Sequence, residues 1–198
     1  MRRYQVLLIA FTAVVLAGIA AYILYGDALT NGRGIAQVGG PFTLTDQYGR
    51  TRTDADFRGQ YMFVYFGYTF CPDVCPTELS AMTQAMDMLP AATQKKITPI
   101  FITIDPQRDT VKQMKAYVAN FHPRMVGLTG TPEQIARVAK EYRVYYAKDK
   151  NNGETSDYLM DHSSIIFLMD PEGHYVTHFT PNTTPETIAK ILGKNVSG

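Results

Sequence analysis

The stretch Tyr61-Met62-Phe63-Val64-Tyr65-Phe66, followed by Gly67-Tyr68-Thr69-Phe70-Cys71-Pro72-Asp73-Val74-Cys75-Pro76-Thr77-Glu78-Leu79, decides how this chain folds. Six aromatic and apolar residues without a break predict a strand covered on both faces, because a strand with one wet face alternates polar and apolar positions. Pro76 suits the first turn of a helix, where its missing N–H costs nothing. The spacing predicts that the helix continues from Thr77 to Met88. Strand, cysteine-bearing loop and helix therefore follow one another directly.

Outward from this unit the same alternation repeats. Phe42 to Asp46 and Thr51 to Thr53 flank Gln47-Tyr48-Gly49-Arg50, a hairpin pattern. Ile100 to Ile104 reads as a second buried strand, and Thr110 to Ala119 as a helix. Thr131 is a good N-cap with Pro132 behind it, opening a helix to about Tyr142. Ser163 to Met169 reads as a third apolar strand, turned by Asp170-Pro171-Glu172-Gly173 into His174 to Phe179. Thr184-Pro185-Glu186 opens the last helix. Alternating strands and helices with a terminal hairpin predict an α/β fold with a central mixed sheet flanked by helices. In such sheets, sites form in loops at the carboxyl ends of strands. Cys71 lies in such a loop.

The chain has 198 residues and two cysteines. A domain of this size builds its own core, so the pair is not needed as a staple. The motif is C-x3-C. With Cys75 in the first helical turn and Cys71 just before it, both sulfurs reach one place. The pair can be a dithiol, a disulfide or a two-thiolate metal clamp, and the helix N-terminus favours the thiolate that each option needs. A disulfide closing so small a loop adds little stability, which argues against a structural staple.

Of the four histidines, His174 and His178 fall on one face of the hairpin strand, where a solvated or packed role is expected. His122 sits in a loop before Pro123. His162, in Asp161-His162-Ser163, stands at the entry to a buried strand. A lone histidine is usually structural. Two thiolates and one imidazole, however, make a soft donor set suited to Cu(I), and to Cu(II) with one weak further ligand. Zinc stays open, with Asp73 or Asp161 as an oxygen donor. Met82, Met86 and Met88 read as core filler. Met160 shares a face with His162 and can offer a weak axial contact.

The N-terminus reads differently from the rest. Arg2 and Arg3 precede Val6 to Leu24, an uncharged run that spans roughly 29 Å as a helix, about the hydrocarbon thickness of a bilayer. Tyr4, Tyr22 and Tyr25 stand near its ends, at headgroup level. The run is longer than the core of a cleaved signal peptide, and apolar all round, unlike a buried core helix. Residues 1–26 are therefore expected to be a retained transmembrane anchor and 27–40 a flexible linker. Residues 41–198 form the domain. The two arginines place the N-terminus in the cytoplasm and the domain outside it. Setting them aside leaves 17 basic and 18 acidic residues, with no basic run, so neither nucleic acid nor an anionic surface is expected as a partner.

Three separated motifs carry a resemblance: Gly67 to Leu79, Ile104-Asp105-Pro106-Gln107-Arg108-Asp109-Thr110, and Asp161-His162-Ser163. In that order they resemble the Sco/SenC family of copper-binding assembly factors for cytochrome c oxidase. The resemblance implies a thioredoxin-like fold and one copper held by Cys71, Cys75 and His162. It also implies delivery of copper to the CuA site of oxidase subunit II, or reduction of that site's thiols with Cys71 and Cys75 as the redox pair. A second periplasmic copper chaperone or thiol reductant is a further expected partner. Asp73 and Asp161 are expected near the metal, and Arg108 and Asp109 in a loop salt bridge or a docking surface. The chain starts directly at its anchor without an Arg- and Ser-rich presequence, which points to the bacterial inner membrane with the domain in the periplasm.

Three other functions compete. A general thiol–disulfide oxidoreductase of thioredoxin type uses C-x2-C with a proline before a later strand. Here His162 stands about where that proline would be. Val74-Cys75-Pro76-Thr77-Glu78 looks like a peroxiredoxin string, but Pro72 and Tyr68 occupy the positions where that chemistry needs a hydroxyl and a proline. A copper or redox sensor without a delivery role remains open.

Overall fold

The computed structural model describes residues 38–149 and 158–196, together with Tyr4, Gln5, Thr12, Ala13, Val15, Leu16 and Ile19, which are helical and exposed. Met1–Ala36 and Gln37–Gly198 form separate units. Most of the expected anchor and linker lies outside the described residues, among which no helix is long and apolar enough to cross a membrane. The end of the expected linker, Val38–Gly40, is held to the domain, where Gly39 N donates to Glu141 O at 2.9 Å.

Within Gln37–Gly198 the described residues form nine strands and five helices. The strands are β1 (Thr43–Asp46), β2 (Thr51–Thr53), β3 (Tyr61–Gly67), β4 (Ile97–Thr103), β5 (Val126–Thr129), β6 (Tyr146–Lys148), β7 (Met160–His162), β8 (Ile166–Met169) and β9 (Tyr175–Phe179). The helices are α1 (Val74–Asp87), α2 (Ala91–Gln94), α3 (Val111–Val118), α4 (Pro132–Glu141) and α5 (Pro185–Val196), with a 3-10 turn at Asp54–Phe57. Seven strands form one sheet in the order β2-β1-β5-β4-β3-β8-β9. β3, β4 and β5 run parallel, and β1, β2, β8 and β9 are joined by antiparallel pairings. The sheet is mixed, as expected. Its β4-β3-β8-β9 core, with α1 after β3, α3 after β4 and α5 after the β8–β9 hairpin, is thioredoxin-like. β6 and β7 form a separate two-stranded ribbon.

The central strands are buried because helices cover both faces. Every residue of β4 and all of β3 beyond Tyr61 are buried. The two faces of β3 are distinct, since side chains alternate with period two. Phe63, Tyr65 and Gly67 share one face, where Phe63 meets Phe179 and Tyr65 stacks on Phe101. Phe66 faces the other way, against Tyr142 and Phe167. Each such side chain contributes on the order of 1.5–3 kcal/mol when fully buried.

Helix starts follow the local chemistry. The Thr131 hydroxyl accepts from Gln134 N while Gln134 Oε1 accepts from Thr131 N, a reciprocal capping box ahead of Pro132. Thr110 caps α3 by accepting from Gln113 N at 3.3 Å. α1 begins at Val74, two residues earlier than Pro76 suggested, which puts Cys75 inside its first turn. Met82 and Met86 fill the core as expected, but Met88 is half exposed because it sits beyond the last turn of α1.

Candidate metal centre

Three elements converge at the carboxyl end of β3. Cys71 closes a turn after the strand, its N–H donating to Tyr68 O at 3.2 Å. Cys75 is in the first turn of α1, and His162 ends β7. Cys71 and Cys75 are both free thiols. The two Sγ atoms and one ring nitrogen of His162 lie within 4.8 Å of one another, the one such group of His, Cys, Asp and Glu found among the described residues. The expected site residues Cys71, Cys75 and His162 are thus brought together.

The sulfurs occupy unlike environments. Cys75 is fully buried, and its Sγ is 3.4 Å from His162 Nε2. Cys71 is half-buried, and its Sγ accepts the Cys75 N–H at 3.4 Å. The Cys75 thiol beside Cys71 and the His162 ring hold the Cys71 thiol well below its ordinary range, against the effect of burial, and N–H groups of the helix N-terminus add to this. Cys75 is pushed the opposite way, by its hydrogen bond to the Cys71 sulfur and by burial. The pair thus divides into an accessible thiolate and a buried, protonated thiol.

The histidine is oriented by what surrounds it. His162 Nδ1 is 3.3 Å from Ser163 O, a group that can only accept, so this contact favours the tautomer protonated at Nδ1. This leaves the Nε2 lone pair directed toward the sulfurs, as a metal ligand requires. Tyr65 and Tyr68 present their rings at 6.1 Å from the imidazole, at 70° and 86°. Tyr68 Oη accepts from Met160 N at 3.2 Å, tying the ribbon to the β3 loop. The ribbon itself was not legible in the sequence, which placed His162 at the entry to a strand beginning at Ser163. That strand begins at Ile166, and His162 pairs instead with Tyr146 of β6.

Gly67 makes room for the buried sulfur. A Cβ on this residue would sit 2.8 Å from Cys75 Sγ and 3.0 Å from Phe101 Cε2. A glycine ending an apolar strand is a sign of close approach and could have been read from the sequence.

Several neighbours depart from expectation. Asp73 and Asp161 do not join the donor group. Asp161 alternates with Met160 and His162 along β7, so its side chain leaves on the other side and is exposed. Arg108 does not pair with Asp109. Its Nε donates to Asp105 at 2.5 Å, and its guanidinium lies 3.7 Å from the centre of the Tyr158 ring and 4.8 Å from that of Phe70. Asp109 turns inward instead and is fully buried. His122, read from the sequence as a loop residue before Pro123, is also buried, with Nδ1 accepting from Arg124 N at 3.1 Å. His174 and His178 stay at the surface, as expected.

The donor set fits a soft ion. Ligands about 2.0–2.3 Å from one metal lie roughly 3.5–4 Å apart in a three-coordinate arrangement, so an adjustment of under about 1 Å closes this set on an ion. With two sulfurs, one imidazole and no fourth protein donor in the group, the set suits copper better than structural zinc.

The comparisons with known proteins agree with this geometry. The family profile described as SCO1/SenC matches residues 30–197. The human protein named SCO1 homolog, mitochondrial, is 45% identical over 160 residues, covering 80% of this chain and 53% of its own. A structure of Bradyrhizobium japonicum ScoI with copper bound aligns at 43% identity and TM-score 0.72, covering 79% of this chain and 98% of that one. Yeast Sco1 with copper bound aligns at 38% identity and TM-score 0.75, covering 82% and 90%. The chain spans about half to three fifths of the length of such curated relatives. A profile match over most of the chain, relatives above 40% identity and a shared fold lead to one assignment: the chain belongs to the SCO1/SenC family.

Proposed function

We propose that this protein binds one copper through Cys71, Cys75 and His162 and serves the assembly of the CuA site of cytochrome c oxidase subunit II. The observation that carries the reading is the convergence of two free thiols and an oriented imidazole from three separate elements. The solved structures of Bradyrhizobium and yeast relatives with copper bound support it. Copper is cargo in this reading. A three-donor site with one half-exposed sulfur lets an incoming thiolate join the metal before Cys71 leaves it, so copper passes between sites without release to water.

The same pair supports a second activity on the same target, reduction of the target's cysteines. The Cys71 thiolate attacks one sulfur of the partner's disulfide, forming a mixed disulfide and releasing one partner thiolate. Cys75 then loses its proton and attacks Cys71 Sγ, displacing the second partner sulfur, which takes up a proton. Two electrons pass to the partner, and a Cys71–Cys75 disulfide remains. The accessible thiolate and the buried thiol fit these two roles.

The location that suits this work is the bacterial inner membrane, with residues 1–26 as a single-pass anchor, 27–40 as a linker and the domain in the periplasm. Arg2, Arg3 and the apolar run support it.

The test uses the full chain, reduced and in detergent, titrated with Cu(I) against a chromophoric competitor. One equivalent should bind tightly. Cys71→Ser, Cys75→Ser and His162→Ala should each weaken binding by at least about tenfold. Wild-type affinity in all three variants would refute the site. Loss of CuA from the oxidase on gene deletion is expected, and an unchanged oxidase would refute the assembly role.

A further inference from the structure

Cys75 and His162 are fixed by what packs around them. Cys75 is fully buried under Gly67, and His162 is wedged by two tyrosine rings. Cys71 is held less completely: it is only half-buried, packed against the core on one side. It lies on the four-residue turn Tyr68-Thr69-Phe70-Cys71, whose Phe70 is half exposed. Something else must hold that turn in place.

The turn is held at Thr69. Asp109 accepts from Thr69 N at 3.0 Å, from Thr69 Oγ1 at 2.6 Å and from Thr103 Oγ1 at 2.6 Å. Gln113 Nε2 adds a donation to Thr69 Oγ1 at 3.1 Å. Asp109 is itself immobilised. Its N–H donates to Asp105 O at 3.0 Å, and its carbonyl accepts from Thr129 Oγ1 at 2.8 Å. Thr103 ends β4 beside Gly67, and Thr129 ends β5. One residue therefore joins the ends of two parallel strands to the turn that presents Cys71, its carboxylate bonding β4 and the turn and its backbone carbonyl bonding β5.

We infer that Asp109 is the positioning residue for Cys71, fixing its sulfur relative to Cys75 and His162 by gripping Thr69 from below. This rests on the copper reading above for its purpose but not for its geometry. The grip needs a carboxylate. Three donors converge on its two oxygens, and an amide would offer one oxygen and an N–H2 group facing a donor. Residues that orient metal ligands in this way typically change affinity by about 10–100-fold when replaced.

The experiment uses the full chain with four variants: Asp109→Asn, Thr69→Val, their double variant, and Asp46→Asn. Asp46 is an equally buried carboxylate at the β1–β2 turn, bonded to Tyr48 N and Arg50 N. It lies on the far side of β5 and β4 from β3 and controls for stability. Asp109→Asn should raise the Cu(I) dissociation constant by about 10–100-fold and shift the Cu(II)–thiolate absorption band. Thr69→Val should do the same to a lesser degree. The double variant should be no worse than Asp109→Asn, because both act through one contact. Asp46→Asn should lower the unfolding midpoint while leaving affinity and band unchanged. In the metal-free protein, alkylation of Cys71 by iodoacetamide should change severalfold in Asp109→Asn and Thr69→Val only. Unchanged affinity and band, multiplicative effects in the double variant, or an equal effect from Asp46→Asn would each overturn the inference. A wild-type chain that takes up no copper would overturn the copper reading instead, and the alkylation rates would still decide the role of Asp109.

Discussion

Gly67→Ala tests how tightly the strand end and the buried sulfur are matched. The new Cβ would lie 2.8 Å from Cys75 Sγ, 3.0 Å from Phe101 Cε2 and 3.1 Å from Tyr65 Cε1, where ordinary contact begins at 3.4 Å. The sulfur must therefore retreat by about 0.6 Å, or the strand must move, in a region where packing is dense on every side. Overpacking of this kind costs about 1–3 kcal/mol, which for a domain of this size lowers the unfolding midpoint by roughly 2–12 °C. Movement of Cys75 away from His162 should also weaken Cu(I) binding, by about tenfold or more if 1.4 kcal/mol of the strain appears at the metal. Gly193→Ala provides the contrast. Gly193 lies inside α5, where a Cβ meets only Leu89 Cδ2 at 3.9 Å. That change should stabilise by about 0.5–1 kcal/mol through helix propensity alone, with copper binding untouched. The assay is thermal unfolding of the metal-free protein beside competitive Cu(I) titration. A Gly67→Ala protein with wild-type midpoint and wild-type affinity would refute the close packing of Cys75 beneath β3.

Other consequences are equally open to measurement. Burial lowers the pKa of His122, with the neighbouring Arg124 adding to this and Asp87 opposing it. The folded state thus disfavours the protonated ring, and stability present above the ordinary value of 6.5 should fall as pH drops below it, because the unfolded chain binds the extra proton. Unfolding by urea between pH 7 and 5 should show this slope in the wild type and a smaller one in His122→Gln. Arg108→Gln removes the cation paired with the buried Asp105 and the group stacked on Tyr158. It should destabilise by about 3–5 kcal/mol if the carboxylate is left uncompensated, read by denaturant unfolding. At pH 5.5, iodoacetamide should label Cys71 and spare Cys75, since one is a half-exposed thiolate and the other a buried thiol. Mass spectrometry of the digested protein gives the order, and prior labelling of Cys75 would contradict the division of roles.

The longest uniform patterns in the sequence were the most legible. β3 is covered on both faces and its unbroken apolar run shows it, whereas β4 starts at Ile97, three residues before the expected Ile100, because Thr98 and Pro99 interrupt its apolar pattern although they too are buried. The caps at Thr110 and Thr131 carry their own local hydrogen bonds and need no distant partner. What stayed hidden is short or mixed in character. β5 is four residues interrupted by Gly127, whose lack of a side chain admits Val118 and Met114 of α3. β6 and β7 have three residues each and depend on one another for their hydrogen bonds. Arg108 and Asp109, neighbours in sequence, separate because Asp109 faces the core while Arg108 lies over the aromatic rings of the surface loop.

The sequence by itself determined the two cysteines as a pair, since a loop and one helical turn set their separation without help from the rest of the chain. It also determined the α/β class, since buried strands and capped helices are local patterns. Only the tertiary structure decided that His162 completes the group, 87 residues beyond Cys75. That meeting depends on β8 pairing with β3, on the β6–β7 ribbon and on two tyrosine rings that wedge the imidazole. The structure likewise decided that the sulfurs differ. Burial, hydrogen bonds and helix position set a thiol's charge, and these are properties of the space around Cys71 and Cys75 rather than of the motif that contains them.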